Sequence, residues 1–280
     1  MKQSLGNLER QLFAYAQMRG KNTLKTGDLC KALHISAVQE RKLYSRLSVA
    51  GMIAQVRRGL YLVPSRLPLG GMWSPDDTLA INTLMDDKNG SYQITGPNAF
   101  NRYGFSEQVP TRLFVYNDVL SGERTVGSVS LTLIKVAETR LGNVEEVKTA
   151  DGEIAVYSSR PRALLDAVYD WSRFNTLPRA YEWLEKEFSA NRVKPKEFVA
   201  VTLRYGDVGT IRRIGYFLEW LWESEPQGKE NKSLLLKLSK AIKPSTAFIP
   251  LLPNQPQKGK LNRRWGIIDN RKNHVAVRSA

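Results

Sequence analysis

The chain has 280 residues, 42% of them hydrophobic and 25% charged, and 42 Lys and Arg against 27 Asp and Glu leave a formal net charge of +15. That length and apolar content exclude a disordered tail and give room for two cores, so two domains are expected. One cysteine, Cys30, with only His34 and His274 beside it excludes an internal disulfide and a Cys/His zinc cluster.

In chain order, the polar opening Met-Lys-Gln-Ser leads into an amphipathic helix in which Leu8, Leu12 and Tyr15 share one face, with a stop at Gly20. No run of about eighteen apolar residues follows anywhere, so a cytoplasmic protein without a membrane span is expected. Thr26 is placed to cap a short second helix carrying Leu29 and Leu33. After the tight His34-Ile35 connection, Ser36 and Gln39 form a capping-box pattern, which predicts a third helix from about Ala37 to Ala50 ending at Gly51.

At about 100° per residue, Leu43, Tyr44, Leu47 and Ala50 turn inward on this helix, while Ala37, Val38, Arg41, Lys42 and Ser45 turn outward. Glu40 falls at the edge of the inward face, with no role legible from spacing alone. The apolar runs Met52 to Val56 and Leu60 to Val63, parted by Arg57-Arg58-Gly59, predict a β-hairpin with two arginines at its tip. Helix, turn, helix and hairpin in that order outline a winged DNA-binding domain. The candidate DNA-binding residues are Lys25, Thr26, Ser36, Ala37, Val38, Arg41, Lys42, Ser45, Arg57 and Arg58. Small and cationic groups on the third helix suit a major groove, and the hairpin tip suits a minor groove or a phosphate backbone.

The distribution of charge points the same way. Lys and Arg outnumber Asp and Glu by 12 to 3 in residues 1–70 and by 12 to 2 in residues 226–280, whereas residues 71–225 carry 18 against 22. A polyanion that releases counterions on binding rewards such clustering, so binding is expected to weaken steeply with salt.

Pro64 to Gly71 is rich in breakers and reads as a domain boundary. Beyond it, Ser74, Pro75 and Asp77 open a helix through about Met85. The segments Tyr92 to Thr95, Leu113 to Tyr116, Val129 to Val136 and Ile154 to Tyr157 read as strands. Ser159-Arg160-Pro161 starts a strong helix with Leu164, Leu165, Val168 and Tyr169, and further helices are expected over Pro178–Phe188, Lys194–Arg204 and Val208–Trp222. The aromatic residues of these helices, including Trp183, Trp220 and Trp222, are assigned mostly to the core by default, with a minority contributing to a partner surface. The fold class expected is therefore α+β, with a winged helix-turn-helix domain over residues 1–68 and a mixed α/β domain over 72–280 that includes a basic C-terminal segment from about 226.

The chain also carries marks of a known family. Arg58-Gly59-Leu60-Tyr61, Tyr92-Gln93-Ile94-Thr95-Gly96 with Ala99-Phe100 and Tyr103-Gly104-Phe105, and Arg162-Ala163-Leu164-Leu165-Asp166 belong to this set. So do Arg212-Arg213-Ile214-Gly215-Tyr216-Phe217-Leu218-Glu219, Ile249-Pro250-Leu251 and Asn262-Arg263-Arg264-Trp265-Gly266-Ile267-Ile268-Asp269-Asn270. Together they resemble the AbiEi antitoxins of type IV toxin–antitoxin systems along nearly the whole chain. The resemblance implies a mixed α/β antitoxin domain and an autorepressor of a phage-defence system. Its winged domain would bind inverted repeats of double-stranded DNA in its own promoter, one copy per half-site and monomeric in solution, while the second domain counteracts a nucleotidyltransferase-like toxin. Neither activity needs catalysis, a metal or a cofactor. Arg212, Arg213 and Tyr216 are the candidate toxin-facing surface; read without the family, one arginine is structural and the other exposed, or both brace acids such as Glu219 or Asp207.

Two other classes stay open. Asp118 followed by Glu146-Val147-Lys148 has the residue order of a metal-dependent nuclease, but Gly142 to Glu146 reads as a turn-rich connection instead of the buried strand that chemistry wants. A ligand-responsive regulator would use aromatic residues of the second domain to line a pocket. No Gly-Lys-Ser phosphate loop, Gly-x-Ser-x-Gly elbow or nucleotidyltransferase Gly-Ser with paired aspartates occurs, which separates this chain from the toxin class.

Overall fold

The computed structural model describes residues 5–66, 71–223, 229–243 and 247–271. The chain is mixed α and β and divides into two compact units, the first made of Met1–Ile94, Pro110–Leu141 and Glu146–Val156, the second of Thr95–Val109, Gly142–Glu145 and Tyr157–Ala280. Part of the expected boundary, residues 67–70, lies outside the described residues, as do His274, Lys272 and Arg278 of the basic C-terminal segment.

The first unit opens with α1 (Asn7–Met18), β1 (Thr23–Lys25), α2 (Asp28–Leu33), α3 (Ala37–Val49), β2 (Ala54–Arg57) and β3 (Leu60–Leu62). The three strands form one antiparallel sheet in the order β1-β3-β2, with Leu24 opposite Tyr61 and Gln55 opposite the same tyrosine on its other side. β1 has no counterpart in the sequence reading, because three residues carry too little alternation to register as a strand. The helices pack through Leu12, Leu29, Leu43, Tyr44 and Leu47, which join Leu24, Met52, Ile53 and Val63 in one buried cluster. The Tyr44 ring stacks on Tyr61 at 4.3 Å, tying α3 to the sheet.

The same unit continues with α4 (Asp77–Lys88), which Asp76 caps by accepting the Thr78 amide at 2.8 Å, and with β4 (Tyr92–Ile94), β5 (Leu113–Asn117), β6 (Gly122–Val126) and β7 (Val129–Lys135). β8 (Val144–Lys148) and β9 (Ile154–Ser158) complete a six-stranded sheet in the order β6-β7-β5-β4-β9-β8. β5 and β7 run parallel, while β4 with β5 and β6 with β7 run antiparallel.

The second unit is helical: α5 (Pro97–Arg102), α6 (Arg160–Tyr169), α7 (Trp171–Phe174), α8 (Arg179–Ser189), α9 (Pro195–Tyr205), α10 (Val208–Glu223) and α11 (Lys229–Lys240). α6 is its central element. Ser159 caps it, Pro161 sits in its first turn, and every residue from Pro161 to Val168 is buried. Burial on all sides demands that its charges be paired, and they are: Arg162 and Asp166, both fully buried, meet at 2.9 Å one turn apart. Asp166 also accepts from Thr95 Oγ1 and Ser158 Oγ, while Arg162 donates to the Gly142 carbonyl and lies over the Tyr205 ring. A small sheet closes the unit, with β10 (Ile249–Pro250) parallel to β12 (Ile267–Asp269) and β11 (Lys260–Asn262) antiparallel to it.

Candidate nucleic-acid interface

α3 starts where its capping box sets it, with Ser36 Oγ accepting the Gln39 amide at 3.2 Å and Gln39 Oε1 accepting the Ser36 amide at 2.9 Å. Ser36 is thus spent on the cap. From that start the helical period puts Val38, Arg41, Lys42, Ser45, Arg46 and Val49 along one solvent-facing stripe that lines a shallow open notch. Ala37 is exposed at its N-terminal end. Arg41 turns back to its own helix, its Nε donating to the Ala37 carbonyl at 3.3 Å. Lys42 makes no ion pair among the described residues, and the stripe's third cation, Arg46, reaches Glu9 of α1 at 2.8 Å while staying mostly exposed. Arg46 and Val49 were not among the sequence candidates, although one further turn of the same count reaches both.

The position with no legible role holds this helix pair together. Glu40 is fully buried, and its carboxylate accepts the backbone amides of Gly27 at 2.8 Å, Leu29 at 2.9 Å and Cys30 at 3.3 Å. Thr26 therefore does not cap α2: the helix begins at Asp28 behind Gly27 without a side-chain cap of its own, because a carboxylate from α3 already takes its free amides. A six-residue helix is too short to stand alone, so an anion at its positive end both stabilises it and fixes its angle to α3. Burial, followed by the nearby Glu40 charge, pushes the Tyr44 phenol well above its ordinary range.

Lys25 and Thr26 are exposed beside the tip of the β2–β3 hairpin, where the Thr26 amide donates to the Gly59 carbonyl at 3.0 Å. Gly59 has φ +84, the left-handed conformation the turn needs. The two tip arginines part company. Arg58 is exposed, but Arg57 donates to both carboxylate oxygens of Asp87 on α4, the Nε contact being 2.6 Å, and so is not a free tip cation. The Arg57 hydrogen bond holds the Asp87 carboxyl below the usual range. The pairing spans thirty residues of chain, which no local pattern announces.

In the second unit the expected surface triad is largely an anchor. Arg212 is 7% exposed, and its guanidinium donates to the carbonyls of Trp265 at 2.7 Å, Ala247 at 2.6 Å and Gly266. It is removed from any toxin-facing surface, and it braces carbonyls, not acids. A Cβ on Gly266 would stand 1.8 Å from the Arg212 guanidinium, and one on Gly215 would stand 2.1 Å from the Trp265 ring, so this clasp requires both glycines. Arg213, half-buried, donates to the Pro250 carbonyl at 3.2 Å, and Tyr216 donates to Asp269 at 2.6 Å. Burial lowers the pKa of both guanidinium groups and, with the Asp269 bond, raises that of the Tyr216 phenol. Together the three side chains fasten β10 and β12 to α10.

The nuclease-like order does not assemble. Glu146 and Lys148 lie on β8, an edge strand and not the turn-rich connection read from sequence, and both are exposed. β9 and β4 separate that strand from β5, and Asp118 just beyond β5 is engaged by the Ser91 amide at 2.9 Å. No group of three or more His, Cys, Asp or Glu side chains suited to a metal occurs among the described residues. No described helix is long and apolar enough to cross a membrane.

No protein-family model matches the sequence, and no curated protein does. Among solved structures the fold is similar to that of the Rv2827c protein from Mycobacterium tuberculosis, with 14% identity and a TM-score of 0.59 over 95% of this chain and 92% of that one. At that identity the likeness concerns the fold alone.

Proposed function

We propose that this protein is a DNA-binding antitoxin of the type IV class that represses its own promoter through a winged helix-turn-helix in its first unit. The carrying observation is the α3 stripe, on which Arg41 and Lys42 stand exposed among small or modest side chains, Ala37, Val38 and Ser45, while Glu40 and Tyr44 hold the helix from behind. A helix with that face fits a major groove, its cations meeting guanine edges or phosphates and its apolar groups a thymine methyl. Arg58 at the hairpin tip then faces the backbone or minor groove, and Lys25 and Thr26 beside it contribute phosphate contacts. One copy per half-site of an inverted repeat is the stoichiometry this implies.

The toxin-directed half of the proposal rests on the family resemblance that runs along nearly the whole chain. No catalytic step is assigned to this protein. The test is a gel shift of the full chain on its own upstream DNA across a salt series, coupled to co-expression with any nucleotidyltransferase-like gene found adjoining its own. Sequence-selective, salt-sensitive retardation with rescue of growth is expected. Equal affinity for unrelated DNA would remove the repressor reading, and unrelieved toxicity would remove the antitoxin reading.

A further inference from the structure

Residues 1–70 hold three acidic side chains, Glu9, Asp28 and Glu40, among twelve Lys and Arg. Each of the three accepts a backbone amide. Asp28 takes that of Lys25, and Glu40 takes those at the start of α2. Glu9 alone also engages a cation of the α3 stripe: its Oε2 accepts the Gly6 amide at 2.8 Å, closing the first turn of α1, and its Oε1 stands 2.8 Å from Nε of Arg46. A carboxylate beside a surface that meets a polyanion weakens the attractive field there, so its presence calls for a compensating gain.

The gain is direction. Leu12, Phe13 and Ala16 of α1 are buried in one cluster with Leu43 and Leu47 of α3, so Glu9 rides on an element that the core fixes against the stripe. Its side chain is 13% exposed against 61% for Arg46, which makes the carboxylate the anchored partner and the guanidinium the presented one. With Nε held, the guanidinium plane is set, and no hydrogen bond among the described residues uses the two terminal nitrogens. Such a pair of donors matches two oxygens of one phosphate. Arg46 lies one turn past Lys42, on the flank of α3 toward α1. It also belongs to the C-terminal half of the helix, the part of a reading helix that runs against the backbone wall while the first turns enter the groove.

We infer that Arg46 clasps a DNA phosphate at the edge of the major groove and that Glu9 is its positioning residue, so that the pair sets the register of α3 on the duplex. The inference rests on the reading of α3 as a DNA-reading helix and adds to it a contact that carries no base preference. Glu9 orders a long side chain before the duplex arrives, so less freedom is lost on binding.

The test is anisotropy of the full chain with a labelled duplex of its own upstream DNA and with a scrambled duplex, over a salt series. Arg46→Ala should weaken both duplexes alike, by about tenfold, and lower the slope of log affinity against log salt by about 0.9. Glu9→Ala separates position from charge, because loss of the negative charge alone raises affinity for DNA whereas loss of the brace lowers it; a net drop of about threefold is expected. Glu9→Gln keeps an oxygen for both contacts and should recover most of that drop. Arg46→Lys keeps the charge without the planar fork and should restore the salt slope but not the affinity. In the Arg46→Ala background, Glu9→Ala should weaken binding no further. Thermal unfolding is measured for every protein and binding is read below the lowest midpoint, which keeps folding costs out of the cycle. Affinity of Glu9→Ala equal to or above the native value, or a loss that persists without Arg46, overturns the positioning role. Native affinity in Arg46→Ala overturns the phosphate contact, and a loss confined to the upstream duplex would make Arg46 a base reader and overturn it equally. Native protein that binds both duplexes equally sinks the repressor reading alone, since the phosphate contact is still read on either, whereas selective native binding that Arg46→Ala leaves untouched sinks this inference alone.

Discussion

Two adjacent cation pairs on helices, Arg41-Lys42 on α3 and Arg212-Arg213 on α10, look alike in sequence and do opposite work. The first pair stands in solvent on a helix held by a buried glutamate behind it. The second is folded inward, Arg212 saturating three backbone carbonyls and Arg213 a fourth. A guanidinium has five donors, so it can close a loop as readily as it can meet a phosphate. Which of these it does depends on whether a second chain segment returns to cover it, and a positive charge count is blind to that difference.

The comparison can be broken from its buried side first. Replacing Arg162 by Met strands the Asp166 carboxylate in a fully buried site and is expected to lower unfolding free energy by about 3 to 5 kcal/mol, read by denaturant unfolding; a loss below about 1 kcal/mol would show the pair to be solvated. Arg212→Met leaves several carbonyls without donors, and about 3 kcal/mol should go, with operator affinity measured on the remaining folded protein unchanged. If that variant instead keeps its stability and loses DNA binding, the division between the two pairs is wrong.

On the exposed side the effects are expected in binding, not in stability. Arg41→Ala or Lys42→Ala should each cost about 1 to 3 kcal/mol of operator affinity with no shift in the unfolding midpoint. Smaller effects separate the hairpin arginines. Asp87→Asn should lower stability modestly at neutral pH. Its carboxyl is held below the ordinary carboxylate range when folded, so the contribution is complete above that range and is lost as pH falls through the lowered folded value. The gap between native and variant protein in a series of denaturation curves should therefore close in acid; a gap that widened in acid would contradict the sign. Arg58→Ala is the mildest change, expected to reduce the slope of log affinity against log salt by about 0.9 without touching stability, whereas Arg57→Ala should do the reverse.

The amphipathic helices and the hairpin were legible because each is written within a few residues. α1 and α3 stand over the periodic runs, the Ser36-Gln39 box starts α3, and Gly59 turns the hairpin. Glu40 was legible too, in principle: it shares the inward phase of Leu43, Tyr44 and Leu47, and a carboxylate on an apolar face signals a buried partner. The short strands β1, β6, β8, β10 and β11 were missed, since two to five residues with mixed polarity hold too little period to be told from loops.

Local sequence therefore determined where the chain coils into helices, where it turns, and which side chains of α3 face away from its core, because the 3.6-residue repeat and the caps act over one or two turns. Tertiary structure alone decided which cations remain available: Asp87 takes Arg57 from thirty residues away, and the Trp265–Gly266 backbone takes Arg212 from more than fifty. Such contacts form wherever burial leaves a charge or a carbonyl in need of a partner, and that need arises only once distant segments have packed.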